Sequence, residues 1–175
     1  DTTHYFFDLN VPAGDIATAT VTIGGARNAT SNIISTAPSN AVFTVDNTAP
    51  TAPTGVTLSP VGGTIVANAL NTTTTNMTAT AAITAGQATG GNAVLKIGAT
   101  TIATDSTILV GDTATTFDLG VAGTVALQAA VAAGGVATVT VTDLAGNSSV
   151  SALANPTLAV DYTAPTAPTA VALTT

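Results

Sequence analysis

The strongest constraint on the fold is a stretch of sequence that occurs twice, 115 residues apart. The first copy reads Asp46-Asn-Thr-Ala-Pro-Thr-Ala-Pro-Thr-Gly-Val-Thr-Leu-Ser59, and the second reads Asp161-Tyr-Thr-Ala-Pro-Thr-Ala-Pro-Thr-Ala-Val-Ala-Leu-Thr174. Both place two prolines at the same positions, with Asp before them and Val-x-Leu after them, a match that chance does not readily produce. A period of this length indicates tandem domains rather than a solenoid of short repeats.

The duplication divides the 175-residue chain into three parts. Residues 16–22 precede the first copy as residues 136–142 precede the second. We therefore expect a segment of a larger protein: the C-terminal half of one repeat in residues 1–50, a complete repeat in 51–163, and the linker and first strand of another in 164–175. Each proline fixes its own φ and extends the residue before it, so the Thr-Ala-Pro linkers are predicted to be semi-rigid.

Alternating apolar and polar residues within the complete repeat predict short β-strands. Strands are expected at 56–58, 76–84, 93–97, 100–104, 136–142 and 157–160, and Gly98-Ala99 is expected to form a two-residue hairpin turn. The Ala-rich stretch 124–133 fits either a strand or a short helix, and we assign it to a strand. Several short strands separated by turn residues predict an all-β fold of the β-sandwich class.

The charges and reactive side chains exclude several classes of function. The only two basic residues, Arg27 and Lys96, cannot form a nucleic-acid-binding surface. The absence of Cys excludes disulfides and thiolate metal sites. All nine acidic residues are Asp, and with a single His and no Glu we expect no enzymatic activity. No apolar run reaches the roughly 18 residues that a membrane span requires.

Two motifs carry a resemblance to a known family. The strand and turn Val-Thr-Val-Thr-Asp143-Leu-Ala-Gly-Asn147, and the later Val160-Asp-Tyr-Thr-Ala-Pro-Thr-Ala-Pro, resemble the bacterial Ig-like repeats of giant adhesins, biofilm-matrix proteins and surface-layer proteins. The resemblance implies tandem seven-stranded immunoglobulin-like β-sandwich domains, export, and service as a spacer or assembly unit. The first half-repeat departs from this pattern, with Gly24-Gly-Ala-Arg-Asn28 in place of the Asp-Leu-Ala-Gly-Asn turn.

These features together predict an extracellular structural segment of a cell-surface assembly. We expect it to act as a rigid spacer and self-association unit of a surface layer, fibre or adhesin stalk. The alternative is a glycan- or receptor-binding adhesin module. Such modules usually present exposed aromatic side chains, and the complete repeat has only Phe117 and Tyr162, so the structural role is favoured.

The expected partners are copies of this chain or adjacent repeats, arranged head to tail. Half a sandwich leaves apolar faces and strand edges open, and a strand from elsewhere can cover them. The aromatic cluster His4-Tyr-Phe-Phe7 is predicted to belong to the core of the half-repeat. The segment 169–175, a first strand without its domain, is the candidate strand donor.

Calcium is the one metal that the sequence favours, and no other cofactor is expected. Asp46 and Asp161 stand at the two junctions, and Asp143 lies in a loop beside one of them. Ca²⁺ prefers carboxylate and turn carbonyl oxygens, so these three residues are candidate Ca²⁺ ligands. An Asp at the start of a turn also commonly accepts backbone N–H bonds, and that interpretation stays open.

Four asparagines fit the Asn-x-Ser/Thr acceptor pattern of N-glycosylation. A Thr-rich chain also produces this pattern by chance, so the four are candidate glycosylation sites only. They are Asn28, Asn71, Asn76 and Asn147.

Overall fold

The structure, a computed structural model, describes residues 8–22, 25, 27–33, 42–66, 69–152 and 159–169. The chain divides into two compact units, Asp1–Ala49 and Pro50–Thr175. The described residues form eleven strands and one helix. In chain order these are β1 (Ile16–Thr20), β2 (Val42–Val45), β3 (Thr54–Val61), β4 (Ala69–Leu70), β5 (Asn76–Ala82), β6 (Asn92–Ile97), β7 (Thr100–Asp105), β8 (Ala114–Asp118), α1 (Gly120–Ala132), β9 (Ala137–Thr142), β10 (Ser148–Ala152) and β11 (Ala159–Val160).

The shorter unit is built on an antiparallel pair, β1 and β2. The Asp15 carboxylate lies just before β1. It accepts hydrogen bonds from the backbone N–H of Asn47 at 2.7 Å and from the Thr48 hydroxyl, and both of these residues lie just after β2. These bonds to the charged form lower the pKa of Asp15, the Thr48 hydroxyl having the largest effect. They tie the start of one strand to the end of the other. The predicted aromatic cluster of residues 4–7 lies outside the described residues.

The longer unit contains two antiparallel sheets that share one hydrophobic core. One sheet has the strand order β3-β5-β8, and the other has the order β10-β9-β6-β7. Every second side chain of the central strands is buried, as alternation in a half-buried strand requires. The core cluster includes Met77 and Phe117 from the first sheet and Leu95, Ile97 and Val139 from the second. This part of the chain is therefore β-rich and sandwich-like.

Most of the predicted strands are confirmed. The stretches expected at 76–84, 93–97, 100–104 and 136–142 correspond to β5, β6, β7 and β9. Gly98 adopts a φ of +57° in the turn between β6 and β7. The stretch expected at 157–160 ends in β11, which pairs in parallel with β4, and its first two residues lie outside the described residues.

The assignment of residues 124–133 to a strand was wrong, although the described chain is β-rich as predicted. These residues belong to the helix α1 and the residue that caps it. Ala has the highest helix propensity, and five of the thirteen helical residues are Ala. Gly134, with a φ of +75°, donates its N–H to the carbonyl of Val131, and Gly135 donates to Ala130. This pair of bonds is the Schellman motif that ends many helices.

Helix α1 joins the end of the three-stranded sheet to the start of β9 in the four-stranded sheet. Thr124 and Leu127 are its buried residues, and Leu127 belongs to the shared core. A Cβ at Gly123 would lie 3.4 Å from the carbonyl oxygen of Ile102, so the helix packs close to the backbone of β7. No helix in the described part of the chain has the length and apolar character needed to cross a membrane.

Candidate functional site

The first Thr-Ala-Pro linker lies against the longer unit with one edge buried. Pro50 and Pro53 are both buried, whereas Thr51 and Ala52 between them are exposed. An extended chain with three residues per turn brings every third residue to the same edge. The three-residue repeat of the sequence therefore places both prolines on the buried edge and leaves the threonines facing solvent.

Two hydrogen bonds fix the backbone of this linker. The amide N–H of Thr51 donates to Oε1 of Gln87 at 2.7 Å. The hydroxyl of Ser149 donates to the carbonyl oxygen of Pro50. Gln87 lies in the loop between β5 and β6, and Ser149 lies on β10, the edge strand of the four-stranded sheet. We call Gln87 and Ser149, with the surface that buries Pro50 and Pro53, the linker seat.

The predicted Asp143 turn lies beside Ser149 and connects β9 to β10. Asp143 is buried, and its two carboxylate oxygens accept hydrogen bonds from the backbone N–H of Asn147 at 2.9 Å and from its side-chain amide at 3.1 Å. The N–H of Asp143 donates in turn to the carbonyl of Asn147 at 3.0 Å. One side chain thus closes the five-residue turn from both sides.

The backbone at the start of β6 runs very close to this turn. A Cβ placed on Gly91 would lie 1.9 Å from the carbonyl oxygen of Thr142 and 2.9 Å from the Cα of Asp143. Only a residue without a side chain fits at this approach. The loop that carries Gln87 and the turn that follows β9 are therefore held together at one end of the longer unit.

The second linker begins with the same local structure as the first. The Asp161 carboxylate accepts the N–H of Thr163 at 2.8 Å, and the Asp46 carboxylate accepts the N–H of Thr48 at 3.1 Å. In contrast to the first copy, every residue in 161–169 is exposed, both prolines included. The two copies therefore share the turn that begins the linker and differ in what covers the prolines.

The three candidate calcium ligands each occupy a different local setting. Asp46 follows β2, Asp143 lies in the turn between β9 and β10, and Asp161 follows β11. In each, a carboxylate oxygen accepts a hydrogen bond from a nearby backbone N–H. Within the described ranges, no group of three or more His, Cys, Asp or Glu side chains is arranged to hold a metal ion. Ca²⁺ binding by these residues stays a prediction.

The four candidate glycosylation sites differ in how their side chains are used. Asn71 donates its amide to the carbonyl of Thr64 at 2.8 Å, and Asn76 donates to the Asp118 carboxylate at 2.5 Å. The amide of Asn147 donates to Asp143, as described above. The exposed Asn28 accepts bonds through Oδ1 from the N–H and hydroxyl of Thr30, the third residue of its acceptor triplet. A glycan on Asn71, Asn76 or Asn147 would replace one of the two hydrogens of an amide group that donates a hydrogen bond within the fold.

Sequence reasoning alone does not identify Gln87 and Ser149 as partners of the linker. They stand 36 and 99 residues from the groups that they bind, and neither lies in a recognisable motif. The three-residue spacing of the prolines was the one available signal that a single edge of the linker is buried. The predicted strand donor 169–175 lies, beyond Thr169, outside the described residues.

Comparison with families of known proteins, with curated proteins and with solved structures found no match.

Proposed function

We propose that this chain is an extracellular structural repeat segment of a cell-surface assembly, in which it acts as a rigid spacer and self-association unit. The observation that carries the proposal is the docked linker. Pro50 and Pro53 are buried and the backbone between them is fixed by Gln87 and Ser149. A linker held to its own domain sets the direction in which the chain enters that domain, whereas a Gly/Ser tether leaves it free.

We further propose that the longer unit is an Ig-like repeat. Its two main sheets contain three and four strands, the number and division of a seven-stranded Ig-like sandwich. The chain crosses between the sheets from β5 to β6, from β7 to β8 and again from β8 to β9, as the connections of a Greek-key sandwich do. Helix α1 then occupies the last of these crossings as an insertion. The strand order and the duplicated linker support this assignment.

The composition of the surface fits the same role. Charged residues make up only 6% of the chain, so hydroxyl and amide groups supply most of the polar surface. The alternative role as a glycan- or receptor-binding module has less support. Phe117 is buried in the core, so the exposed Tyr162 is the one aromatic side chain that the described part of the longer unit presents to solvent.

The experiment that tests the proposal is immunogold labelling of intact source cells with antibodies raised against this chain. We expect gold particles along a layer, fibre or stalk at the cell surface. Permeabilised cells serve as the control for antibody access. Labelling confined to permeabilised cells would overturn the proposed location and the role that depends on it.

A further inference from the structure

The Asn28 triplet lies in a closed and exposed turn of the shorter unit. Arg27 and Ile33 form an isolated antiparallel bridge at the base of this turn. Between them the backbone N–H of Asn28 donates to the carbonyl of Asn32 at 3.0 Å, and the Asn28 carbonyl accepts the N–H of Ser31 at 2.9 Å. Ser31 has a φ of +68°, a left-handed conformation that helps the chain to reverse. All five of these residues are exposed, so the turn presents its side chains to solvent.

The Asn28 side chain is held through its oxygen alone. Oδ1 accepts hydrogen bonds from the backbone N–H of Thr30 at 3.0 Å, from the Thr30 hydroxyl at 2.8 Å and from the backbone N–H of Asn32 at 2.9 Å. The amide nitrogen Nδ2 donates no hydrogen bond to any residue that the structure describes. The amide is therefore fixed in one orientation while its nitrogen stays available to a reactant from solvent.

The Asn71 triplet provides a close comparison, because it has the same contact between side chains. Oδ1 of Asn71 accepts the hydroxyl of Thr73 at 2.7 Å, as Oδ1 of Asn28 accepts that of Thr30. Asn71 is half-buried, however, and its amide nitrogen donates to the carbonyl of Thr64 at 2.8 Å. The two triplets thus differ in exposure and in whether the nitrogen is already used.

The remaining two triplets differ further from the Asn28 triplet. Asn76 and Asn147 are half-buried, and the amide nitrogen of each donates to an Asp carboxylate. The hydroxyls of Thr78 and Ser149, which complete these two triplets, donate to backbone carbonyls of other segments. Asn28 alone of the four candidates combines exposure, a nitrogen without a partner among the described residues, and the hydroxyl of its own triplet beside it.

We propose that Asn28 is the N-glycosylation acceptor of this chain, modified by an oligosaccharyltransferase that uses a lipid-linked oligosaccharyl pyrophosphate. Nδ2 of Asn28 attacks the anomeric carbon of the first sugar and forms a C–N bond. The bond from that carbon to the pyrophosphate oxygen breaks, and its electron pair leaves with the pyrophosphate. Nδ2 releases one hydrogen as a proton to a base of the enzyme and keeps the other. The inference rests on the proposed function, because such enzymes act on exported chains.

The enzyme reads the asparagine and the hydroxyl two residues later, and the turn presents both groups together. The Thr30 hydroxyl lies 2.8 Å from Oδ1 of Asn28 on the same exposed turn. Modification also leaves the turn intact. The three hydrogen bonds that Oδ1 accepts do not involve the nitrogen, so all of them remain when a sugar replaces one of its hydrogens.

The first test measures transfer to the purified, folded 175-residue chain. Four synthetic peptides, each containing one triplet with its flanking residues, serve as controls, and the enzyme chosen is one that modifies all four. Electron-transfer fragmentation of the tryptic peptides 28–96 and 97–175 assigns each glycan to its asparagine. We expect transfer to Asn28 at nearly the rate of its peptide. Transfer to the other three should be at least about tenfold slower than in their peptides, the effect of breaking one net hydrogen bond.

A matched variant and a second sample complete the test. Asn28→Gln should abolish the fast transfer to the folded chain. In protein recovered from the surface of source cells, Asn28 should carry a glycan and the other three asparagines should not. The inference is wrong if Asn28 in the folded chain is modified no faster than the other three, or if Asn28 of surface-exposed protein is unmodified. Immunogold labelling decides the location of the chain independently, so a chain found only inside cells would overturn the proposed function and leave the transfer assay to judge the acceptor.

Discussion

Replacing Asp143 by Ala should destabilise the protein by about 2 kcal/mol. The substitution leaves both backbone hydrogen bonds of the turn in place and removes the two that the carboxylate accepts from Asn147. Hydrogen bonds to a charged group contribute roughly 1.5–3 kcal/mol. Because both bonds here involve one carboxylate and one partner residue, we take a combined value near the lower end of that range.

The assay is thermal and urea unfolding of the 175-residue chain. For a protein of this size a loss of about 2 kcal/mol corresponds to a decrease in Tm of about 4–8 °C. Asp143→Asn keeps an oxygen facing the backbone N–H of Asn147 but turns an NH₂ group towards the side-chain amide of Asn147. We therefore expect it to cause about half of the loss of unfolding free energy that Asp143→Ala causes. Leu144→Ala changes the neighbouring residue, which is 79% exposed, and should stay within about 0.5 kcal/mol of the wild type.

Calcium provides the decisive comparison for this residue. If the carboxylate acts by closing the turn, the loss caused by Asp143→Ala is the same in excess Ca²⁺ and in EDTA. The reasoning is refuted if Asp143→Ala changes stability by less than about 0.5 kcal/mol. It is equally refuted if Ca²⁺ stabilises the wild type and Asp143→Asn abolishes that effect, because the carboxylate would then be a metal ligand.

Two further predictions concern a close backbone approach and an acid-sensitive contact. Gly91→Ala should lower the free energy of unfolding, measured in urea, by at least about 3 kcal/mol, because the new methyl group meets backbone atoms. Gly86→Ala, whose methyl group has open space around it, should lower it by only about 1–2 kcal/mol, the strain of a left-handed backbone. Equal losses for the two variants would contradict the close approach at Gly91. Hydrogen bonds from the Asn76 side chain and from the N–H of Gly120 lower the pKa of Asp118 below its ordinary 3.8. The ionised form of Asp118 therefore stabilises the fold at neutral pH. This contribution is lost as the pH falls through and below that value. The Tm difference between wild type and Asp118→Asn should therefore shrink on acidification from pH 5, and a difference that is constant with pH would contradict this prediction.

The sequence predicts the strands of the longer unit well because their residues alternate strictly. Met77, Ala79 and Ala81 point to one side of β5, and every one of them is buried. Such a pattern is local and reports directly on which face is covered. The prolines of the linkers are equally informative, because their effect on the backbone is intrinsic to the residue.

Helix α1 shows where a local pattern was available and was given too little weight. Residues 124–133 are rich in Ala, and Gly134-Gly135 follows at once, which is a helix stop signal. The two valines of the stretch, Val125 and Val131, favour a strand. In the structure Leu127 packs into the shared core, and this tertiary contact decides in favour of the helix.

The linker seat was beyond prediction for a different reason. It combines a loop glutamine, an edge-strand serine and a linker that are far apart in the chain, and only the folded topology brings them together. A single sequence contains no periodicity that reports such a contact. The three calcium candidates were also Asp residues expected to accept backbone N–H bonds at the start of turns. The structure shows such a hydrogen bond at all three positions.

The chemistry of the joint between linker and domain has a consequence for where such a protein can work. The groups that bind one another there are a primary amide, a hydroxyl, two peptide units and two pyrrolidine rings. None of these groups gains or loses a proton between acidic and alkaline pH. None of them depends on an attraction between charges that dissolved salt would screen. The acidic side chains of the surface respond to salinity and acidity, whereas the hydrogen bonds that hold residues 50–51 to Gln87 and Ser149 are insensitive to both.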